Sequence, residues 1–335
     1  MIPNTLLSIT IPTYNRADFL DYSLEIHIPL ARAYNVQIYI SDNASTDSTK
    51  EVVEKWQQEY SLIHYFCNER NIGEINFEIA LKLPQTEYVW LLGDTYQIPS
   101  NGIQYLLTVI SKEDQNYDAF IFNLANRITD IIQQDYQDHN ALLHDIGALM
   151  TCLSCLVYHK SLINNGSFRR YYDTYFIQTG VILEDIAYRP FCIQWVQTLS
   201  VQSLIHPSLQ KINWSLTSKA FEIGCEKWTN FIFSLPPTYS IENKMKCIMD
   251  FGEVSTLFTI KSLILLRLHE ILTYTTFKKY RYLFKLTIDI PIVFIFILSI
   301  TPKLFLQIAG IMIITFFGNN KRKKIKLLIA KGANS

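Results

Sequence analysis

The feature that most constrains this chain is a repeated pattern in which a short, apolar, β-rich run enters a polar turn and then an amphipathic stretch. LLSITI (6–11) ends at Pro12 and gives way to RADFLDYSLEI, and VQIYIS (36–41) ends in DNASTDST and gives way to KEVVEKWQQEY. LIHYFCN reads as a third strand, NIGEINFEIALKL has helical spacing, and EYVWLLGD reads as a fourth strand buried on both faces. Such alternation implies parallel strands joined by right-handed crossovers, with ligands taken at the carboxyl ends of the strands. The expected class is therefore α/β with a Rossmann-like core, and the polar residues gather where such a core binds ligands.

Composition narrows the partners. Lys and Arg together number 30, as do Asp and Glu, so the molecule offers no global field for nucleic acid or for an acidic substrate. Its aromatic residues are not interleaved with a basic stripe, and no nucleic-acid partner is expected. The six cysteines form no paired ladder, which fits a reducing compartment. The opening MIPNTLLSITIPTYNR lacks a basic leader and a long apolar run, so the N-terminal domain is expected in the cytoplasm. Neither G-x-x-x-x-G-K-[ST] nor G-x-G-x-x-G occurs. His144-Asp145 begins a metal-phosphohydrolase motif without its other histidines, and Cys152 with Cys155 lacks the second pair of a zinc site. Both read as ordinary packing.

The chain changes character along its length. Residues 1–218 read as one α/β domain, with a donor half over about 1–100 and a less regular acceptor half over 101–218. Residues 219–285 read as a helical extension with apolar and basic faces. Leu286–Phe317 is almost uncharged, is interrupted by Pro291 and Pro302, and is followed by NKRKKIK. Each apolar half is shorter than the roughly 20 residues that span a bilayer. Basic clusters on both sides point to a re-entrant or interfacial hairpin on the cytoplasmic leaflet; a core helix pair is the alternative reading.

At the strand ends, Pro12, Thr13, Tyr14, Asn15 and Arg16 combine a rigid turn, an aromatic face and a guanidinium, which suits a nucleotide. Asp42 ends the second strand, where a carboxylate can accept hydrogen bonds from a base or from ribose hydroxyls. Ser45 and Asp47 read as helix-capping residues. Asp94 stops the fourth strand.

SITIPTYNRADFLDYSLE, YISDNASTDST, RNIGEINF and LLGD, in this order and spacing, resemble the inverting family 2 glycosyltransferases. The resemblance covers the first hundred residues well and the next hundred loosely. It implies a GT-A fold, a nucleotide-sugar donor, and a glycan acceptor, often lipid-linked, in polysaccharide biosynthesis at the cytoplasmic face of the cell membrane. Carried over by position, Pro12, Tyr14 and Arg16 would line the nucleotide pocket, and Thr13 and Asn15 lie in the same turn. Asp42 would hold the base, Arg70 and Asn71 would lie near base or diphosphate, and Gly73 would allow a close approach. The family's Asp-X-Asp signature would bind Mn²⁺ or Mg²⁺, but here the residues are Asp94, Thr95 and Tyr96. Metal binding is thereby weakened, with Asp94 the expected ligand and His206 a possible second. The resemblance also implies an acidic pair at a helix start as acceptor base: Asp185 with Glu184. A catalytically silent scaffold on the same fold is the alternative function.

Overall fold

A computed structural model describes residues 2–112, 116–209 and 214–307. The strands are β1 (Leu7–Thr13), β2 (Gln37–Asp42), β3 (Ile63–Cys67), β4 (Tyr88–Leu91), β5 (Tyr96–Gln97), β6 (Ala119–Leu124), β7 (Gln134–Tyr136), β8 (Leu156–His159) and β9 (Ile193–Ser203). They form one sheet in the order β3-β2-β1-β4-β8-β6-β9-β5, with β7 beside β9. Helices α1 (Ala17–Arg32), α2 (Thr49–Glu59) and α3 (Asn76–Lys82) follow the first three strands, as the hydrophobic periodicity predicts. Later in the chain come α4 (Gly102–Ile110), α5 (His139–Ile146), α6 (Lys160–Asn165) and α7 (Ile177–Asp185).

The first four strands are parallel, and β1 is buried at every position between β2 and β4. Beyond β4 the sheet is mixed, because β8 runs antiparallel to both β4 and β6. The irregular middle of the sequence is thus an extension of the same sheet. Its core includes Trp90 and Trp195, both fully buried; Trp90 stacks on Phe122 at 4.5 Å and donates its indole N–H to the carbonyl of Ser154 at 2.8 Å.

The chain forms two compact units. One comprises Met1–Lys211 with Phe233–Cys247, and the other Ile212–Ile232 with Ile248–Ser335. The segment 233–247 belongs with the sheet because Tyr239 donates to the carbonyl of Leu183 at 2.7 Å and Arg170 to that of Ser234 at 2.7 Å. The remaining helices are α8 (Lys219–Phe221), α9 (Trp228–Ser234), α10 (Ile241–Val254), α11 (Ile260–Leu268), α12 (Tyr274–Thr287) and α13 (Ile292–Ile300). Within the second unit α13 lies on α12, with Phe277 against Phe296 at 5.3 Å. No helix among the described residues is long and apolar enough to cross a membrane. From residue 308 on, the second arm of the expected hairpin and its basic tail lie outside the described residues.

His27 ties α1 to the segment after β4. It is wholly buried, its Nδ1 lies 2.6 Å from the carbonyl of Ser23, and its Nε2 accepts the Ile98 N–H at 3.1 Å. One nitrogen donating and the other accepting defines the neutral ring. Burial lowers its pKa to about 4, partly opposed by the Ser23 carbonyl. The unfolded chain takes up this proton near the ordinary value of about 6.5. His27 therefore leaves stability intact above that pH and removes it as the pH falls toward 4, by roughly 3 kcal/mol at about 1.4 kcal/mol per unit. Urea unfolding of wild type and His27→Gln between pH 7 and pH 4 checks this: the wild type is expected to carry the extra acid sensitivity and the variant to lack it.

Candidate functional site

Parallel pairing brings the polar strand ends together. In the register of β1 and β2, Thr13 stands beside Asp42, and the Asn43 N–H donates to the carbonyl of Thr13 at 2.9 Å. Asp94 lies just beyond β4, 4% exposed, and its two oxygens are held by β1's extension: Thr13 Oγ1 donates to Oδ2 at 3.0 Å and Arg16 Nη1 to Oδ1 at 2.9 Å. A nearly buried carboxylate bridging a hydroxyl and a half-exposed guanidinium is a charge-assisted pair whose open side belongs to the Arg.

Asp42 is 1% exposed; its Oδ1 accepts the Ser45 N–H at 2.9 Å and its Oδ2 the Tyr65 hydroxyl at 2.7 Å. Burial, and then this bond to Asp42, push the Tyr65 phenol upward in pKa. Asn15, in left-handed backbone at φ 50°, receives the Thr46 N–H on its side-chain oxygen at 2.7 Å and gives its own N–H to Ser45 at 2.8 Å. The two turns are thereby stitched together. Asp47 caps α1 through the Ala17 N–H at 3.0 Å and also binds Thr49. Burial pushes its carboxyl up, but the Thr49 hydroxyl and the backbone N–H donors outweigh this and hold it below its ordinary value. Ser45 and Asp47 are thus turn-builders, as their positions suggested. Tyr14 is 42% exposed above the turn, and Pro12, the last but one residue of β1, is buried.

The third strand end is built on asparagine. Asn43 accepts the Ile72 N–H at 2.9 Å and the Asn68 amide at 3.2 Å, and donates to Asn71 Oδ1 at 2.9 Å and to the Gly73 carbonyl at 3.2 Å. Gly73 takes φ 61° with open space where a Cβ would lie, so the constraint there is backbone conformation. Arg70 stands exposed on the loop that this network holds. Glu74 follows, with both oxygens buried; the N–H groups of residues 173–175 approach it without completing well-aligned hydrogen bonds. Burial, together with the charge of Asp173, raises its pKa to about 7 against the pull of those amides.

Asp185 and Glu184 lie elsewhere than expected. They form the last turn of α7, not the start of a helix. Asp185 is bound by Arg189, which also binds Asp118 at 2.7 Å. The carbonyl of Asp118 accepts from His159, which pairs with Tyr88, at the amino-terminal end of β4. Through Arg189 and Asp118, Asp185 is thus tied toward the amino-terminal end of β4 and not to the Asp42–Asp94 end. Glu184 accepts from Arg170 at 3.0 Å and from the Tyr171 hydroxyl at 2.6 Å. These acids brace α7. Position in the sequence did not reveal this, because α7 runs away from the ligand end.

His206 does reach that end. The Leu204 N–H donates to the carbonyl of Thr95 at 2.9 Å; two residues on, the His206 ring lies edge-on to Tyr22, with Nδ1 3.0 Å from the Ser208 hydroxyl. Among the described residues no three His, Cys, Asp or Glu side chains converge as a metal cage. His144 pairs with Asp145 at 2.7 Å, and Cys155 is a buried thiol.

Comparison with known proteins matches residues 8–166 to the Glycosyl transferase family 2 model. The chain is 34% identical to the abequosyltransferase RfbV of Salmonella typhimurium over 116 residues, covering 33% of this chain and 34% of that protein. It is 29% identical over 118 residues to the GalNAc(5)-diNAcBac-PP-undecaprenol beta-1,3-glucosyltransferase of Campylobacter jejuni, covering 35% and 37% of the two chains. The matched stretch thus spans only about a third of each of these relatives. In fold the chain is similar to S. aureus TarS 1-349 in complex with UDP-GlcNAc, at TM-score 0.56 and 14% identity over 84% of this chain and 81% of that one. It is also similar to the mannosyltransferase PcManGT of Pyrobaculum calidifontis in complex with GDP-Man and Mn²⁺, at TM-score 0.54 and 14% identity over 91% and 88%. The GT-A-like α/β fold expected from the sequence is therefore present.

Asn43 holds four groups of the third strand end. Asn43→Ala is expected to lose about 1–3 kcal/mol of stability, because its buried partners are left unpaired. It should also speed proteolysis within 68–76. Denaturant unfolding and limited proteolysis check both outcomes.

Proposed function

With residues 8–166 matching the model of glycosyltransferase family 2, we propose that this chain is an inverting glycosyltransferase of that family. It moves a sugar from a nucleoside-diphosphate sugar to a hydroxyl of a glycan acceptor, in assembly of cell-surface polysaccharide. The observation that carries the reading is the convergence of Asp42, Arg16 and Asp94 at three adjacent parallel strand ends. Asp42 would accept from the base or ribose, and Tyr14, exposed beside it, would give the base a flat surface. Arg16, aimed by Asp94, would face the diphosphate, where negative charge grows as the glycosidic bond breaks. Pro12, Thr13 and Asn15 shape that turn, while Arg70, Asn71 and Gly73 close the pocket from β3. A lipid-linked acceptor is supported by the name of the Campylobacter relative.

The donor set fits a divalent cation held chiefly by the diphosphate and does not fit a protein-built cage. Asp94 is the carboxylate at this strand end, Tyr96 stands where a second acid would be needed, and Thr13 and Arg16 already engage one Asp94 oxygen each. When bound there, Mn²⁺ or Mg²⁺ would supply charge stabilisation to the leaving group. Asp94 would hold it, with His206 a second donor through Nε2, since Nδ1 is turned to Ser208.

The second unit supports a membrane role. On α13, Val293, Ile297 and Ile300 are 62%, 53% and 49% exposed, and Leu304 and Phe305 beyond it are 64% and 65% exposed. Lys278, Lys279, Arg281 and Lys285 are exposed on α12. Apolar side chains beside cations suit the interface of an anionic leaflet at the cytoplasmic face. Vesicle flotation tests this: Ile297→Asp with Val293→Asp is expected to release the full chain from vesicles containing phosphatidylglycerol, with its thermal unfolding unchanged.

Calorimetric titration with UDP, GDP, CDP and dTDP, with and without Mn²⁺, tests the enzymatic reading on wild type, Asp42→Ala and Asp94→Ala. One nucleotide is expected to bind, and each variant is expected to lose at least about tenfold in affinity, the value of one charge-assisted bond. Binding by none would defeat the reading. Binding without any release of nucleoside diphosphate from the matching sugar nucleotide would favour the silent scaffold, for which the missing second acid at Tyr96 is the motive.

A further inference from the structure

An inverting transfer needs a carboxylate or imidazole that faces the acceptor, and the acids expected for this task are engaged within the fold, Asp185 by Arg189 and Glu184 by Arg170 and Tyr171. Several acids at the ligand end are committed elsewhere. Asp42 and Asp94 are buried and paired, Asp47 caps two helices, and both oxygens of Glu74 are enclosed. Glu69 lies next to Arg70 in the donor loop, and Asp130 lies on the stretch packed along β9, where the neighbouring Thr129 carbonyl accepts from Gln197.

The segment 172–176 is different. It precedes α7, whose first turn is fixed at the ligand end: Gln178 donates to the Thr151 carbonyl at 3.0 Å and Thr179 to that of Met150 at 2.8 Å. Residues 150–154 lead into β8, which begins level with the end of β4, and Ser154 Oγ accepts the N–H of Gly93, next to Asp94, at 2.9 Å. On its other side the segment lies over the third strand end, through Tyr172 on Glu78 and the amides of 173–175 above Glu74. It is locked internally by Thr174, which donates to the Tyr171 carbonyl at 2.6 Å and accepts the Phe176 N–H at 3.0 Å. Asp173 and Tyr175 take left-handed backbone, φ 62° and 69°. Tyr in that region is strained, and strain kept by surrounding contacts is a mark of a functional segment. Tyr171 is fixed by Glu184 and lies flat on Gly180, where an added Cβ would come within 2.4 Å of the ring. Asp173 itself is exposed, on a rigid mount between the donor turns and the start of α7.

We infer that Asp173 is the general base. This rests on the glycosyltransferase reading. An Asp173 carboxylate oxygen takes the proton of the acceptor hydroxyl as that oxygen attacks the anomeric carbon. The bond from that carbon to the β-phosphate oxygen breaks, its electron pair leaves with the nucleoside diphosphate, and the anomeric configuration inverts. Asp185 and Glu184 stabilise the helix that carries the segment.

The test uses the full chain with the nucleotide that binds best and its sugar nucleotides, with water and detergent-solubilised polyprenyl-linked glycans as acceptors. Asp173→Asn is expected to release nucleoside diphosphate at least about 100-fold more slowly, the lower range for general-base catalysis. Its affinity for the nucleotide and its thermal unfolding should match the wild type. Asp173→Glu should recover part of the rate, and Asp185→Asn, if folded by the same thermal criterion, should stay within about threefold of wild type, well short of the effect of a lost general base. Asp173→Asn turning over at the wild-type rate overturns the inference, as does a wild type that binds nucleotide without turnover. A wild type that binds no nucleotide fails earlier and overturns the glycosyltransferase reading itself.

Discussion

The Arg16–Asp94 pair, with Thr13 on the second carboxylate oxygen, is the interaction on which the ligand end depends. It joins the turn after β1 to the end of β4, although 78 residues separate the two partners. It exists because β1 lies between β2 and β4 in parallel register, so their ends emerge side by side. A carboxylate so nearly buried has to be paired, and the guanidinium that pairs it is left facing outward. One geometric constraint thus both neutralises the buried acid and leaves a cation at the surface of the strand ends.

Around this pair the polar residues divide into two kinds. Asn15, Ser45, Asp47, Asn43 and Asn71 spend their hydrogen-bonding capacity on one another and on backbone amides. They make the three turns rigid before any ligand arrives, which lowers the ordering cost of binding. Tyr14, Arg16 and Arg70 keep exposed surface and, in the proposed reading, are the ones left to contact the donor. The distinction matters when substitutions are interpreted, since loss of a member of the first group alters the fold of the turn and loss of one in the second alters contact with the ligand.

The acceptor side follows another logic. No parallel strand end provides its acid. A strained segment does, held from below by Glu74 and Glu78 and from behind by the first turn of α7. Glu184 and Asp185, in the last turn of α7, are taken up by Arg170 and Arg189.

The alternation of strands and helices over the first hundred residues, and with it the parallel core, was legible in the sequence. So was the gathering of Asp42 and Asp94 at neighbouring strand ends, because a strand end in a parallel sheet is a fixed place and a residue's distance from the strand locates it. The antiparallel insertion of β8, the return of 233–247 to the first unit, and the positions of Glu184, Asp185 and Asp173 were decided only by tertiary structure. They depend on long-range packing and on the direction in which a helix crosses the sheet. Local periodicity determines that a helix forms, and it carries no information about which of its ends meets the ligand.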